Sequence, residues 1–159
     1  MKKIVLAAFL IVSMNVILAS QDKMTASYGN IKIDIPLGWM VQYTQSPSVF
    51  FIFSPLEPND TFQENANLVI EALPYKISLS DYISLSQEGL KSVYGKFEML
   101  ETAENYHIIR GYIGSTQVQQ LQIFYVTDNN AYILTFSSNP DNFARFRDQF
   151  FTLAGTFRY

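Results

Sequence analysis

The chain has 159 residues, of which 48% are hydrophobic and 15% aromatic, with a formal net charge of −3 and no cysteine. The missing cysteine excludes a disulfide framework, and without a basic run a nucleic-acid partner is not expected. The length suits one domain whose core is held by packing alone.

The amino terminus has the pattern of a secretory signal. Two lysines at positions 2 and 3 precede an apolar stretch that Asn15 interrupts, and the small residues Ala19 and Ser20 follow it. This pattern predicts a signal peptide over residues 1–20; a membrane span would need roughly 20 unbroken apolar residues. An uncleaved amphipathic anchor is the alternative. Since no cysteine stands at the cut to carry a lipid, we expect a periplasmic or secreted bacterial protein without an integral membrane span.

The remaining residues, 21–159, are expected to form a single domain. Its first predicted strand, Ile31–Ile35, alternates apolar and polar residues and follows a loose lead-in over Gln21–Ser27. Pro36 and Gly38 then form a turn, and the only tryptophan, Trp39, comes directly after it. We interpret Trp39 as a structural plug of the core; a ligand platform is the alternative.

Further strands are indicated by short apolar or alternating runs between turn residues. They are Met40–Tyr43, Val49–Phe53, Ala66–Leu73, Phe97–Thr102, Tyr106–Ile113, Val118–Thr127 and Ala131–Ser137. The last two are apolar on both sides, which is typical of central strands that are covered twice.

Two helices are predicted. Ser78 and Asp81 resemble a capping box, and an apolar stripe at helical spacing runs over Ser78–Tyr94, with Gly95 as the C-cap. A second helix begins at Asn139, which Pro140 follows. Its aromatic stripe is predicted to be buried and consists of Phe143, Phe146, Phe150 and Phe151. The order strands, helix, strands, helix favours an α+β fold with an antiparallel sheet.

The loop over Ser54–Asn65 carries three acidic residues that are candidates for binding a partner or a cation. They are Glu57, Asp60 and Glu64. Carboxylate oxygens suit a hard cation such as calcium, but their spacing matches no calcium loop, and we predict no metal site. A solvated acidic loop is the alternative.

Four glutamines line the strand Val118–Thr127 and its start; they are Gln117, Gln119, Gln120 and Gln122. Side-chain amides can hydrogen-bond carbohydrate or peptide. We therefore take Gln119 and Gln120 as candidate partner-binding residues, with an ordinary solvated strand face as the alternative.

The only histidine, His107, lies in a predicted strand. A catalytic histidine needs a nucleophile and an orienting carboxylate, and a zinc site needs further ligands. No Gly-x-Ser-x-Gly motif frames any serine, so no catalytic residue is predicted. The sequence has no phosphate-binding glycine loop, dinucleotide fingerprint or haem motif, and no cofactor is expected.

The order of several segments resembles the PsbP-like and DcrB-like proteins. These segments are "YGNIKIDIPLGW", "VFFIFSP", "ANLVIEAL", "RGYIG" and "AYILTFSS". The resemblance covers about Tyr28–Tyr159, and its best points are Pro36-x-Gly38-Trp39 and Ser54-Pro55. It implies an αβα sandwich, in which helices flank both faces of a central antiparallel sheet. DcrB-like members are usually envelope lipoproteins, and this chain departs from them by lacking the lipid-bearing cysteine.

The resemblance also implies binding or assembly rather than catalysis, because PsbP is an accessory subunit that supports a membrane complex. We therefore expect a non-enzymatic accessory protein that contacts a protein partner or a membrane assembly through the Ser54–Asn65 loop or a sheet edge. A small-ligand or cation-binding module is the alternative, and a hydrolase that uses His107 ranks last.

Overall fold

The computed structural model describes residues 24–45, 47–58 and 60–159. The predicted signal peptide over residues 1–20 lies outside these ranges. In the described residues, nine strands and two helices follow one another as β1 (Met24–Tyr28), β2 (Ile31–Ile35), β3 (Met40–Tyr43), β4 (Ser48–Phe53), β5 (Asn65–Ala72), α1 (Leu79–Val93), β6 (Gly95–Thr102), β7 (Tyr106–Ile113), β8 (Thr116–Val126), β9 (Asn130–Ser138) and α2 (Pro140–Ala154).

The strands of this part of the chain form a two-stranded hairpin, β1–β2, and a seven-stranded sheet in the order β3-β4-β5-β9-β8-β7-β6. Every pairing is antiparallel. The predicted antiparallel sheet is thus confirmed. The two strands that the sequence predicts as central are β9, in the middle of the order, and its neighbour β8.

The sequence predicts a loose lead-in over Gln21–Ser27, and this prediction is wrong for residues 24–27, which are the described part of it. Residues from Met24 onward form β1, in which Ala26 lies opposite Ile33 and is fully buried. The turn between β1 and β2 is Gly29-Asn30, and Gly29 takes the left-handed φ of +59°. A Gly-Asn pair between two extended runs is a hairpin signal, and the sequence contained it.

Helix α1 begins where the sequence predicts. Ser78 is its N-cap, and the Ser78 hydroxyl accepts a hydrogen bond from the Asp81 amide at 3.1 Å. Its end differs from the prediction, because Tyr94 is the C-cap and Gly95 already belongs to β6. Tyr94 is extended, so the chain passes from the helix into the strand without the left-handed glycine of a Schellman cap.

The two helices contact different residues of β8 and β9. Helix α2 packs through Phe143, Phe150 and Leu153 into the main core, which includes Leu121 and Phe136. The ring centroids of Phe136 and Phe150 lie 5.2 Å apart, and Phe146 stacks on Phe150 at 5.9 Å. Helix α1 forms a second, smaller cluster through Tyr82 and Ile83, which pack with Phe124, Ala131 and Ile133.

Neither of these helices, nor any other within the described residues, is long and apolar enough to cross a membrane.

Trp39 packs into the main core and is only 5% exposed. Its amide donates a hydrogen bond to the Pro36 carbonyl at 3.1 Å and so closes the turn. Gly38 has a φ of +84°, the conformation that the third position of a type II turn requires. The turn therefore directs the indole inward, while Leu37 at its tip is 74% exposed.

We predict that Trp39→Ala lowers the free energy of unfolding by about 3–5 kcal/mol, since it deletes a large buried side chain from a core that cannot fully collapse. Leu37→Ala is the matched control from the same turn, and its effect should stay within about 0.5 kcal/mol. Urea denaturation of both variants provides the measurement. A thermal melt of Trp39→Ala within one degree of the parent protein would contradict the structural role of the indole.

Candidate functional site

Two rows of polar side chains cross the middle of the seven-stranded sheet. In the first, Gln122 of β8 lies opposite Thr135 of β9, which lies opposite Asn67 of β5. The adjacent row has the same chemistry and runs through Gln120, Ser137 and Asn65. Opposed residues of neighbouring strands point to the same side of a sheet. Six amide and hydroxyl side chains therefore share one face; we call them the polar rows.

Aromatic rings extend the polar rows on strand β4. Phe51 lies opposite Asn67, and Phe53 lies opposite Asn65. The two rings stack, with centroids 5.8 Å apart and an angle of 11° between their planes. The face thus changes from amide and hydroxyl groups to aromatic rings within one strand spacing.

Helix α1 packs on the next row along the same face. That row contains Phe124 and Ile133, which contact Tyr82 and Ile83 of the helix. Helix α1 therefore covers the apolar row that adjoins the polar rows. The polar rows border a groove of about 470 Å³, which we call the sheet groove.

The lining of the sheet groove combines neutral polar groups with apolar ones. The polar members are Asn65, Asn67, Thr116, Gln120, Gln122, Thr135 and Ser137, and the others are Phe51, Phe62, Tyr94, Ile113 and Val118. Among these lining residues of the described chain, there is no Asp, Glu, Lys, Arg or His. The volume falls in the usual range of small-molecule sites, about 300–1,000 Å³.

A chain of hydrogen bonds fixes one polar row. The Tyr94 hydroxyl donates to Gln120 Oε1 at 2.5 Å, and Gln120 Nε2 donates to the Ser137 hydroxyl at 2.8 Å. Gly111 makes room for Tyr94, because a Cβ at this glycine would lie 2.9 Å from the Tyr94 Cβ. Burial raises the pKa of Tyr94, so the hydroxyl remains a donor at neutral pH. Ser137 itself lines the groove, and no acceptor for its hydroxyl proton is found among the described residues.

His107 of β7 lies opposite Gln122 and continues the other polar row. Its ring is fully buried against Phe124, with centroids 4.8 Å apart, and its Nε2 lies 2.8 Å from Gln122 Oε1. Nδ1 is buried and has no partner among the described residues. This pattern fits a neutral ring that donates from Nε2, and burial lowers the pKa of His107 in agreement with it. The partner of the imidazole is an amide; no nucleophile or carboxylate of the described chain is hydrogen-bonded to it.

Several groups of the polar rows remain available to a ligand. The Asn67 side-chain nitrogen donates a hydrogen bond to the Ser48 hydroxyl at 3.1 Å, and the Asn67 side-chain oxygen has no donor among the described residues and can accept from a ligand. Gln122 uses its oxygen on His107, and no acceptor for its amide nitrogen lies in the described part of the chain. The groove thus offers both donors and acceptors whose directions are already set.

The acidic loop is engaged with helix α2 rather than solvated throughout. Glu57 forms a bidentate pair with Arg145, with distances of 3.0 and 3.2 Å. This pairing raises the pKa of Arg145, chiefly through the hydrogen bonds from its guanidinium to Glu57. Asp60 has one carboxylate oxygen that is buried and finds no hydrogen-bond donor among the described residues.

Glu64 is 1% exposed and connects the loop to the start of helix α2. One carboxylate oxygen lies 3.0 Å from the Ser138 hydroxyl and 3.5 Å from the Asn142 amide nitrogen. The other lies 3.5 Å from the Ser54 hydroxyl, and the Ser54 amide donates to the Glu64 carbonyl at 2.8 Å. In the residues described, no three His, Cys, Asp or Glu side chains are grouped so that they could hold a metal ion.

The two candidate glutamines are adjacent in sequence but lie on opposite faces of the sheet. Gln120 lines the sheet groove, whereas Gln119 accepts hydrogen bonds from the Arg110 guanidinium at 2.9 and 3.2 Å on the other face. The structure therefore brings Gln120 together with Gln122, and it brings Glu57 and Glu64 together at helix α2. It does not bring the glutamines and the acidic loop residues to one place.

Most residues of the sheet groove are missed at the level of sequence. Asn67, Thr135 and Ser137 interrupt runs that are otherwise apolar, and such polar interruptions in central strands are the available signal. Only the strand register shows that these interruptions coincide.

Comparison with known proteins yields likeness in structure alone. No protein-family model matches the chain, and no curated protein matches its sequence. The solution structure of cyanobacterial PsbP (CyanoP) from Synechocystis sp. PCC 6803 matches with a TM-score of 0.60 at 14% identity, over 85% of this chain and 91% of CyanoP.

Two further structures match over similar lengths. PA94 from Pseudomonas aeruginosa, a protein of unknown function and putative regulator, has a TM-score of 0.59 at 10% identity, over 86% of this chain and 96% of PA94. LpqN of Mycobacterium tuberculosis, involved in cell envelope biogenesis, has a TM-score of 0.55 at 14% identity, over 85% of this chain and 88% of LpqN. The fold is therefore PsbP-like, as the sequence resemblance implied.

Glu64 and Glu57 should differ sharply in their contribution to stability. Glu64→Ala removes the acceptor of buried donors, and we expect it to lower the free energy of unfolding by about 1–3 kcal/mol. Glu57→Ala breaks an exposed ion pair and should cost at most about 1 kcal/mol. Chemical denaturation of the two variants measures the difference, and equal losses would show that the buried contacts of Glu64 do not stabilise the loop.

The buried His107 should make the protein less stable in acid. Below about pH 6.5 the unfolded chain binds a proton that the folded ring, with its lowered pKa, does not take up. The free energy of unfolding should therefore decrease as the pH is lowered below about 6.5. This residue contributes at most about 1.4 kcal/mol per pH unit, until the pH passes the pKa of the folded state. Urea melts of the parent protein and of His107→Gln between pH 7.5 and 4.5 isolate this contribution. Parallel pH profiles of the two proteins would refute it.

Proposed function

We propose that this protein is a non-enzymatic accessory protein of the bacterial envelope, which acts by holding a ligand or partner in the sheet groove. The observation that carries the proposal is the chemistry of the groove: aromatic rings stand beside amide and hydroxyl groups that are oriented but not fully paired within the described chain. Such a surface recognises by hydrogen bonds and apolar contact.

The groove is a better candidate than the acidic loop for this role. Glu57 is engaged by Arg145, and Glu64 is buried beside Ser138, so both carboxylates have contacts within the chain. The donors and acceptors of the sheet groove, by contrast, are oriented by their neighbours and remain open to a ligand. Preorganised groups of this kind favour binding because little conformational freedom is lost.

The likeness in fold supports an accessory role in the envelope. LpqN, which is involved in cell envelope biogenesis, has the same fold at 14% identity. A fold alone does not determine a function, and the groove chemistry is therefore the main support. We also propose that α1 and α2 lie on opposite faces of the sheet in an αβα sandwich, because they contact alternate residues of β8 and β9.

The envelope location rests on the predicted signal peptide over residues 1–20, with residues 21–159 as the single mature domain. When the full chain is produced in a bacterium, we expect the envelope fraction to contain a shortened protein that begins at Ser20 or Gln21. Intact mass and amino-terminal sequencing of that fraction provide the measurement. A full-length chain retained in the cytoplasm would contradict the envelope role.

Site-specific photo-crosslinking in the native envelope tests the binding proposal. A benzophenone amino acid at Thr116, an exposed residue at the rim of the groove, should form an adduct of defined added mass. The matched control is the same substitution at Thr152, which is exposed on helix α2. Adducts at Thr116 that do not exceed those at Thr152 would refute the groove as the binding surface.

A further inference from the structure

We propose that the ligand of the sheet groove is an uncharged glycan, bound through its ring hydroxyls and through the apolar face of a sugar ring. This inference rests on the proposed function, because it names the class of ligand for the same groove.

Charge selects against ionic ligands. A charged group that is taken out of water needs a partner of opposite charge, or its desolvation is not offset. None of the described residues that line the groove is acidic or basic, and the one histidine next to them, His107, is buried and neutral. A neutral polar ligand is the kind whose desolvation can be offset by hydrogen bonds to this lining.

The hydrogen-bonding groups match hydroxyls. A sugar hydroxyl donates one hydrogen bond and accepts others, so it pairs best with donors and acceptors set side by side. Gln122 presents its amide nitrogen because His107 occupies its oxygen, and Asn67 presents its oxygen because Ser48 occupies its nitrogen. The hydroxyl of Thr135 lies between these two amides on the same row.

Apolar contacts complete the match. A sugar ring has a face of C–H groups, which packs on aromatic surface, while its hydroxyls lie around the edge. Phe51 lines the groove at the end of the row that contains Asn67 and Thr135, and it stacks on Phe53. Ring and amides are thus one strand spacing apart, about 5 Å, which is within the width of a single sugar.

An extended peptide fits the groove less well. Peptides commonly add to a sheet by pairing with the backbone of an edge strand. The groove lies over β5, β9 and β8, whose backbones are already paired with strands on both sides. A peptide in the groove could therefore contact only side chains. Its backbone N–H and C=O groups alternate at a fixed spacing, and the two polar rows do not offer partners at that spacing.

The test is a titration of the mature protein, residues 21–159, followed through the side-chain amide signals of Gln and Asn in nitrogen-15 NMR. The probes are neutral tetrasaccharides of glucose, mannose and N-acetylglucosamine, with a polygalacturonate fragment as the acidic counterpart. We expect at least one neutral probe to shift the signals of Gln122 and Asn67, and the acidic probe to shift neither.

Two variants and one control test whether the sugar binds in the sheet groove. Thr135→Val keeps the shape of the side chain and removes its hydroxyl, and it should weaken binding about three- to tenfold, as the loss of one hydrogen bond does. Phe51→Ala should abolish the shifts. Gln119→Ala, on the other face of the same strand, should leave the affinity unchanged.

The outcomes separate the two proposals. Shifts that map away from the groove, or binding that survives both Thr135→Val and Phe51→Ala, would overturn the glycan inference. A flat response to every neutral sugar, together with a peptide adduct at Thr116 in the crosslinking experiment, would overturn it while the groove stands as a binding surface. A flat response without any adduct above the control would overturn both.

Discussion

The register of the three central strands determines which residues form the polar rows and which face the main core. Residues of β5, β9 and β8 that oppose one another face the same side, so a polar residue in each strand produces a continuous row across the sheet. A shift of one residue in the β8–β9 pairing would move Gln122 into the main core and Leu121 into the groove. The buried apolar residues on the other face, including Leu121, Leu134 and Phe136, fix the register against such a shift.

Two neighbouring elements then convert the polar rows into a site with defined donors and acceptors. In one row, the Tyr94 hydroxyl orients Gln120, and this contact depends on the missing side chain of Gly111. In the other row, the buried His107 orients Gln122. Buried polar networks that are fully paired confer specificity, and unpaired groups within them are costly unless a ligand or water satisfies them. The free groups of the sheet groove can be satisfied by solvent or, as we propose, by a ligand.

Much of the fold is predictable from the sequence, because its elements follow simple periodic patterns. The helices are predictable because a cap such as Ser78 is followed by apolar residues at helical spacing, as in the stripe of Phe143 and Phe150. The turn before Trp39 is predictable from its proline and glycine. The strand β1 escapes prediction although its five residues alternate between apolar and polar side chains and Gly29-Asn30 signals a hairpin, so both signals are present in the sequence. Glu64 reads in the sequence as a loop carboxylate that faces a partner or solvent; its burial depends on Ser138 and Asn142, which are distant in sequence. The groove depends on cross-strand register, and no single segment of the chain contains that information.

We expect the groove to be occupied in the native envelope, and the cysteine-free sequence allows a direct test. A single cysteine at Thr116 or at Thr152 would be labelled with a maleimide, once in the intact envelope and once in the purified protein. An occupied groove predicts that the envelope slows labelling at Thr116 several-fold relative to the purified protein, while the ratio at Thr152 stays near one. Equal ratios at the two positions would mean that nothing occupies the groove, and they would contradict its role as a binding surface.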